Sequence, residues 1–164
     1  MKKILVIFII LLMLCCNLTV YAISDSATSS VVLDTSSRRI LYQKNKDEKR
    51  LIASITKIMT AVVAIENKNL DDVVTVGEEV LPMYGSNIYI EVGEKMTLRN
   101  LLYGLLLRSG NDAAVVIAKY VGGSEENFVK MMNKKAQEIG MKNTTFSNSH
   151  GLDEDTQNYS TAYD

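Results

Sequence analysis

The stretch Leu51-Ile52-Ala53-Ser54-Ile55-Thr56-Lys57-Ile58-Met59-Thr60-Ala61-Val62-Val63-Ala64-Ile65 decides how the chain is read. Ile55, Ile58, Met59, Val62 and Ile65 recur at helical spacing. The opposite face is apolar too, apart from two threonines. The pattern predicts a helix ending near Asn67 and buried nearly all round. Lys57 is the only charged residue of the quoted stretch, and Ser54 stands three positions earlier, at the expected helix start. A spacing of three puts both side chains on one face, one turn apart.

That pair has a chemical reading. A serine hydroxyl is a poor nucleophile until a nearby base takes its proton. A lysine can be that base only if burial disfavours its charged form. A helix N-terminus behind the serine favours developing negative charge. The plainer reading makes Ser54 a helix cap and Lys57 a cation snorkelling to solvent. Ser-x-x-Lys alone does not choose between them.

Upstream, Ser30-Val31-Val32-Leu33 and Arg39-Ile40-Leu41-Tyr42 read as strands around an Asp34–Ser37 turn. Two strands alone are marginal, so this hairpin needs a sheet to join. Lys44 to Arg50 is a solvated charge run. Before Ile23 the chain is of another kind. Lys2 and Lys3 precede an apolar run from Ile4 to Cys16, and Val20-Tyr21-Ala22 offers a cleavage site. Residues 1–22 read as a secretory signal peptide, and 23–164 as one domain. Both cysteines fall in the removed segment, so the mature domain is expected to use no disulfide and no thiolate. Losing Lys2 and Lys3 takes the net charge from −1 to −3. No basic surplus argues for nucleic acid. The single His150 has no companions at metal-ligand spacing, so neither a metal nor another cofactor is expected.

Downstream, Val73–Val76 reads as a short strand and Gly77–Asn87 as irregular chain. Thr97 caps a helix carrying Leu98, Leu101, Leu102, Leu105 and Leu106. A second helix holds Ala113–Ala118. A third starts at Ser124 and turns Phe128, Met131, Met132, Ala136 and Ile139 inward. Phe146–Leu152 is a loop. Tyr159–Asp164 reads as the start of a helix, with Ser160 or Thr161 as its cap.

Between the first two of these later helices lies Ser109-Gly110-Asn111. Serine and asparagine are good caps and glycine suits a turn. Read with Ser54 and Lys57, the triplet offers more. Ser109 could relay a proton to a leaving amine. Asn111 could bond a substrate amide and hold the lysine in place.

Ser54-Ile55-Thr56-Lys57, Ser109-Gly110-Asn111, His150-Gly151-Leu152 and Tyr159-Ser160-Thr161-Ala162-Tyr163-Asp164 together resemble the D-alanyl-D-alanine carboxypeptidases, the low-molecular-mass penicillin-binding proteins. The resemblance implies an α+β fold of the β-lactamase/transpeptidase-like type. This chain would supply the N-terminal hairpin and the helical half, with the C-terminal strands missing. It implies that Lys57 takes the proton of Ser54, which attacks the penultimate D-alanine of a peptidoglycan stem peptide. The leaving D-alanine would be protonated through Ser109, Asn111 would bind substrate, and β-lactams would acylate Ser54 and inhibit. The place of action would be extracytoplasmic, on the cell-wall side. A C-terminal anchor, if the full-length protein has one, would tie it to the membrane surface.

Two departures stand out. No lysine here is followed by Thr-Gly or Ser-Gly, the family's third motif. Family members usually carry proline before His-Gly-Leu, where this chain has Ser149, a local loop change expected to matter little. Two rival readings share the motifs. One is a β-lactamase, for which Glu125 or Glu126 would be the deacylating base. The other is a wall-binding fragment without catalysis.

Overall fold

The computed structural model describes residues 25–153 and 156–164. The expected signal peptide, 1–22, lies outside the described residues. The architecture is α+β: among the described residues, four α-helices carry short antiparallel strand pairs at their margins.

Strand β1 (Ser30–Leu33) pairs with β2 (Ile40–Lys44), Ser30 opposite Lys44 and Val32 opposite Tyr42, with a bulge between Val32 and Leu33. Asp34 ties the connecting turn by accepting from the Ser36 N–H at 3.0 Å. The two-residue strand β3 (Arg50–Leu51) leads through a 3₁₀ turn at Ala53–Ile55 into α1 (Thr56–Asn67). Strand β4 (Val73–Thr75) pairs with β5 (Lys95–Thr97), which runs directly into α2 (Leu98–Leu107). Helix α3 (Asn111–Gly122) and α4 (Glu125–Glu138) follow. Strand β6 (Tyr159–Ser160) returns to β3, and Tyr159 also bridges Thr145.

The caps follow the local chemistry. Thr97 Oγ1 accepts from the Asn100 N–H at 3.2 Å and Ser124 Oγ from the Asn127 N–H at 3.1 Å. Gly123, in the left-handed region, closes α3. Helix α3 is the hub, touching α1, α2 and α4. Ala113, Ala114, Ile117 and Ala118 are fully buried, and so are Leu98, Leu101 and Leu105 of α2 and Phe128 and Met132 of α4. Small residues on the hub let three larger-faced helices approach it at close-packed density.

Four sequence expectations change. Helix α1 is not buried nearly all round: Ile55, Ile58 and Ile65 are 64 %, 60 % and 52 % exposed. Among the described residues, the layer that covers α1 lies on its other side. Leu106 and Ile139, expected inward, are exposed as well. The hairpin, expected to join a sheet, pairs with no further strand among the described residues: β1–β2, β3–β6 and β4–β5 are three separate two-stranded pairs. Strands of two or three residues are too short to show alternation. Finally, Tyr159–Ser160 is strand, not a helix start, because its backbone pairs with β3 and Thr145. Thr161 still behaves as a cap, its Oγ1 accepting from the Asp164 N–H at 3.1 Å.

Candidate active site

The β3–β6 pairing lays residues 146–151 across the start of α1, and the turn before α3 closes the other side. Three segments distant in sequence therefore meet at Ser54.

Ser54 sits in the 3₁₀ turn, exposed to solvent. It does not cap α1: the cap position is Ile55, and no side chain bonds there. Ala53, just before it, has φ 43°. A non-glycine residue held in the left-handed region costs about 1–3 kcal/mol and persists only where surrounding contacts over-determine it. One such contact is backbone to backbone. Gly151 has φ 87°, and a Cβ there would stand 2.0 Å from the Ala53 carbonyl oxygen. Only glycine permits that approach.

Lys57, one turn below Ser54, is 2 % exposed and so does not snorkel. Its Nζ donates to Ser54 Oγ at 3.1 Å and to the His150 carbonyl at 2.6 Å. Burial lowers its pKa from 10.5 to about 8. A useful fraction of free amine thus exists near neutrality, within hydrogen-bond reach of a hydroxyl. From the opposite side, Ser109 Oγ donates to Ser54 Oγ at 3.0 Å. Ser109 also lies at positive φ, 56°, at the sharp turn between α2 and α3. The three groups form a chain amine–hydroxyl–hydroxyl along which a proton can pass.

Asn111 begins α3 and is 3 % exposed. Its Nδ2 donates to the Tyr84 carbonyl at 2.7 Å, and its N–H to the Ser86 carbonyl at 2.7 Å. The amide is turned toward this loop, and no hydrogen bond joins it to Lys57. Next to it, Asp112 gathers the N–H groups of Ile88 and Tyr89 at 2.7–3.1 Å. Residues 84–90 are thereby fixed beside the serine turn.

Sequence reasoning missed the polar network beneath the site. Thr56, Thr60, Asn148, Ser149 and Asn158 are all buried. Asn158 Nδ2 donates to Thr56 Oγ1 at 2.8 Å and to the Asn148 carbonyl at 3.1 Å. Asn158 Oδ1 accepts from the Ser147 and Asn148 N–H groups at 2.6 and 3.1 Å. Asn148 Oδ1 accepts from the Gly151 N–H at 2.6 Å, and Thr60 Oγ1 donates to the Ser149 carbonyl at 2.7 Å. The two threonines on an otherwise apolar helix face were the available signal. His150 is held neutral, its pKa lowered from 6.5 to about 4 by burial and by the Lys57 charge. Its Nδ1 accepts from the Leu152 N–H at 3.1 Å. No group of three or more metal-ligating side chains stands together among the described residues. No helix among them is long and apolar enough to cross a membrane.

A family model described as D-alanyl-D-alanine carboxypeptidase matches residues 18–164. The chain belongs to this family. It is 44 % identical over 147 residues to D-alanyl-D-alanine carboxypeptidase DacF of Bacillus subtilis, covering 87 % of this chain and 38 % of that protein. It is 38 % identical over 157 residues to DacC of Escherichia coli, covering 89 % and 39 %. Among solved structures, DacD from Francisella tularensis superposes with a TM-score of 0.80 at 39 % identity, over 86 % of this chain and 35 % of that one. A D-alanyl-D-alanine carboxypeptidase from Mycobacterium tuberculosis gives 0.82 at 29 % identity, over 90 % and 56 %. The fold class follows from these neighbours. The chain spans about 38 % of the length of its curated carboxypeptidase relatives.

Proposed function

We propose that the chain carries the acylating centre of a serine-type D-alanyl-D-alanine carboxypeptidase, acting outside the cytoplasmic membrane on peptidoglycan stem peptides. One observation carries the reading: the buried Lys57 amine stands 3.1 Å from the exposed Ser54 hydroxyl. The amine accepts the Ser54 proton as Oγ bonds to the carbonyl carbon of the penultimate D-alanine. The tetrahedral intermediate then breaks its C–N bond. The terminal D-alanine leaves with a proton delivered from Lys57 through Ser109. Water, deprotonated by the same amine, cleaves the ester and frees the shortened peptide. The Ser54 N–H is one oxyanion donor; the resemblance places the other on the Lys-Thr-Gly strand, which these 164 residues do not contain. Asn111, at the start of α3, binds the substrate amide through its side-chain oxygen, its Nδ2 being held by the Tyr84 carbonyl. A β-lactam carbonyl enters the same chemistry and stops at the acyl-enzyme.

The β-lactamase alternative draws nothing from Glu125, whose carboxylate is bonded to the Ser149 N–H at 2.7 Å and Oγ at 3.1 Å. The test is labelling of the chain with a fluorescent penicillin, followed by mass mapping of the adduct. A stable adduct on Ser54 is expected, lost in Ser54→Ala. Labelling that survives Ser54→Ala overturns the proposal. Rapid turnover of nitrocefin supports the β-lactamase instead, and peptidoglycan binding without labelling supports the wall-binding fragment.

A further inference from the structure

We propose that Glu125 is a positioning residue for Lys57, acting through the backbone of Ser149 and His150. The two-point grip of Glu125 on Ser149 comes from the first turn of α4. Ser149 is completely buried. Helix α1 holds the same residue from the other side, through Thr60 Oγ1 on its carbonyl. One peptide further on, the His150 carbonyl receives Lys57 Nζ at 2.6 Å, closer than Nζ stands to Ser54 Oγ. The amine is thus suspended between two oxygens, and the place of the carbonyl sets its distance to the hydroxyl. Glu125 is the only carboxylate hydrogen-bonded to residues 147–151 among the described residues. A proline at 149 could not donate the shorter of the two bonds. Ser149, expected to be a neutral loop change, is therefore one half of this clamp.

The kinetic test rests on the acylation reading above; a spectroscopic test does not. Glu125→Ala, Glu125→Gln, Ser149→Ala and the control Glu126→Ala are compared in the full chain. Glu126 is exposed and, among the described residues, pairs only with Lys130. With a fluorescent penicillin, Glu125→Ala should lower the limiting acylation rate about tenfold and leave the pre-covalent dissociation constant unchanged, since small displacements of a catalytic group act on rate. Glutamine keeps an acceptor for the N–H and a partner for the hydroxyl, so Glu125→Gln should restore most of the rate. Ser149→Ala, which loses only the longer bond, should show a smaller loss. Glu126→Ala should behave as wild type.

Independently of activity, ¹³C-lysine NMR follows the Lys57 titration, expected near 8 in the wild type. Loosening the loop admits water, so Glu125→Ala should move the midpoint upward toward 10.5. His150, neutral above about 4, contributes no change of charge in that window. A Glu125→Ala protein with wild-type titration overturns the proposal, as does Glu125→Gln shifted as far as Glu125→Ala. A wild type that does not acylate refutes the proposed function and leaves the titration to judge Glu125. Should Glu125→Ala fail to fold, Glu125→Gln and Ser149→Ala decide: the first must keep the wild-type midpoint, and the second must raise it.

Discussion

Helix α1 buries Met59, Val63 and Ala64 as expected, but two of its stripes run against the usual rule. The face carrying Thr56, Lys57 and Thr60 is buried to 2 % exposure or less. The face carrying Ile55, Ile58 and Ile65 is more than half exposed and borders an apolar groove shared with Ile139, Met141 and Phe146. Burial of the polar face is tolerable because each of its polar atoms meets a partner of matching chemistry from residues 148–158. The difference teaches that polarity alone does not locate the core of this chain. What matters is which face meets residues able to satisfy it.

The comparison can be broken at several depths. The largest effect belongs to Lys57→Ala. Removing the base should slow acylation of Ser54 by roughly a thousandfold, within the range for general-base catalysis; stopped-flow fluorescence with a labelled penicillin measures it. A rate within tenfold of wild type would detach the polar face from any chemistry. Next is Asn158→Ala. It leaves several buried partners unmatched and should cost about 2–3 kcal/mol, read from urea unfolding. Thr60→Val keeps the shape and removes one bond to the Ser149 carbonyl, so about 1 kcal/mol is expected. On the other face Ile58→Ser should change stability by less than about 0.5 kcal/mol. A large loss there would mean that the apolar face is covered in solution.

Acidity sharpens the same contrast. The folded pKa of Lys57, about 8, lies below its ordinary 10.5. Acylation should therefore rise with pH through about 8 and level off above it. Between about 8 and 10.5 the unfolded chain binds more protons than the folded one, so this residue's contribution to stability rises across that window. Ile58→Ser should leave both curves unmoved, while Lys57→Ala should erase the second. His150 acts at lower pH. Its folded value, about 4 against 6.5, means that stability falls as the solution is acidified between those values.

How much of this was legible beforehand differs by distance along the chain. Local signals read well. Thr97 and Ser124 cap as their types suggest, Gly123 ends α3, and Ser54 and Lys57 share a face because three residues make nearly a turn. The helical half followed from apolar stripes of adequate length. The pairings β3–β6 and β4–β5 did not, since two or three residues carry no period and their partners lie 20 or more positions away. The exposure of Ile55 and Ile58 was equally hidden, because hydrophobic spacing names a face without naming what lies on it. Asn148 and Asn158 looked like ordinary loop residues. Their importance comes from two carboxamides that bond each other and from two threonines of α1, 102 and 89 positions from their partners, that close on the same loop.

The absent side chain at Gly151 sets a limit on change at the serine turn. Hydrogen there allows one strand of main chain to lie directly on another, so the floor under residues 53 and 54 contains no soft material. An alanine at 151 would drive into the carbonyl oxygen of Ala53 and lift the neighbouring hydroxyl away from its amine. Such a variant would keep every reactive group in the sequence yet leave them disconnected in space, which makes a single methyl group the smallest off-switch this fold permits.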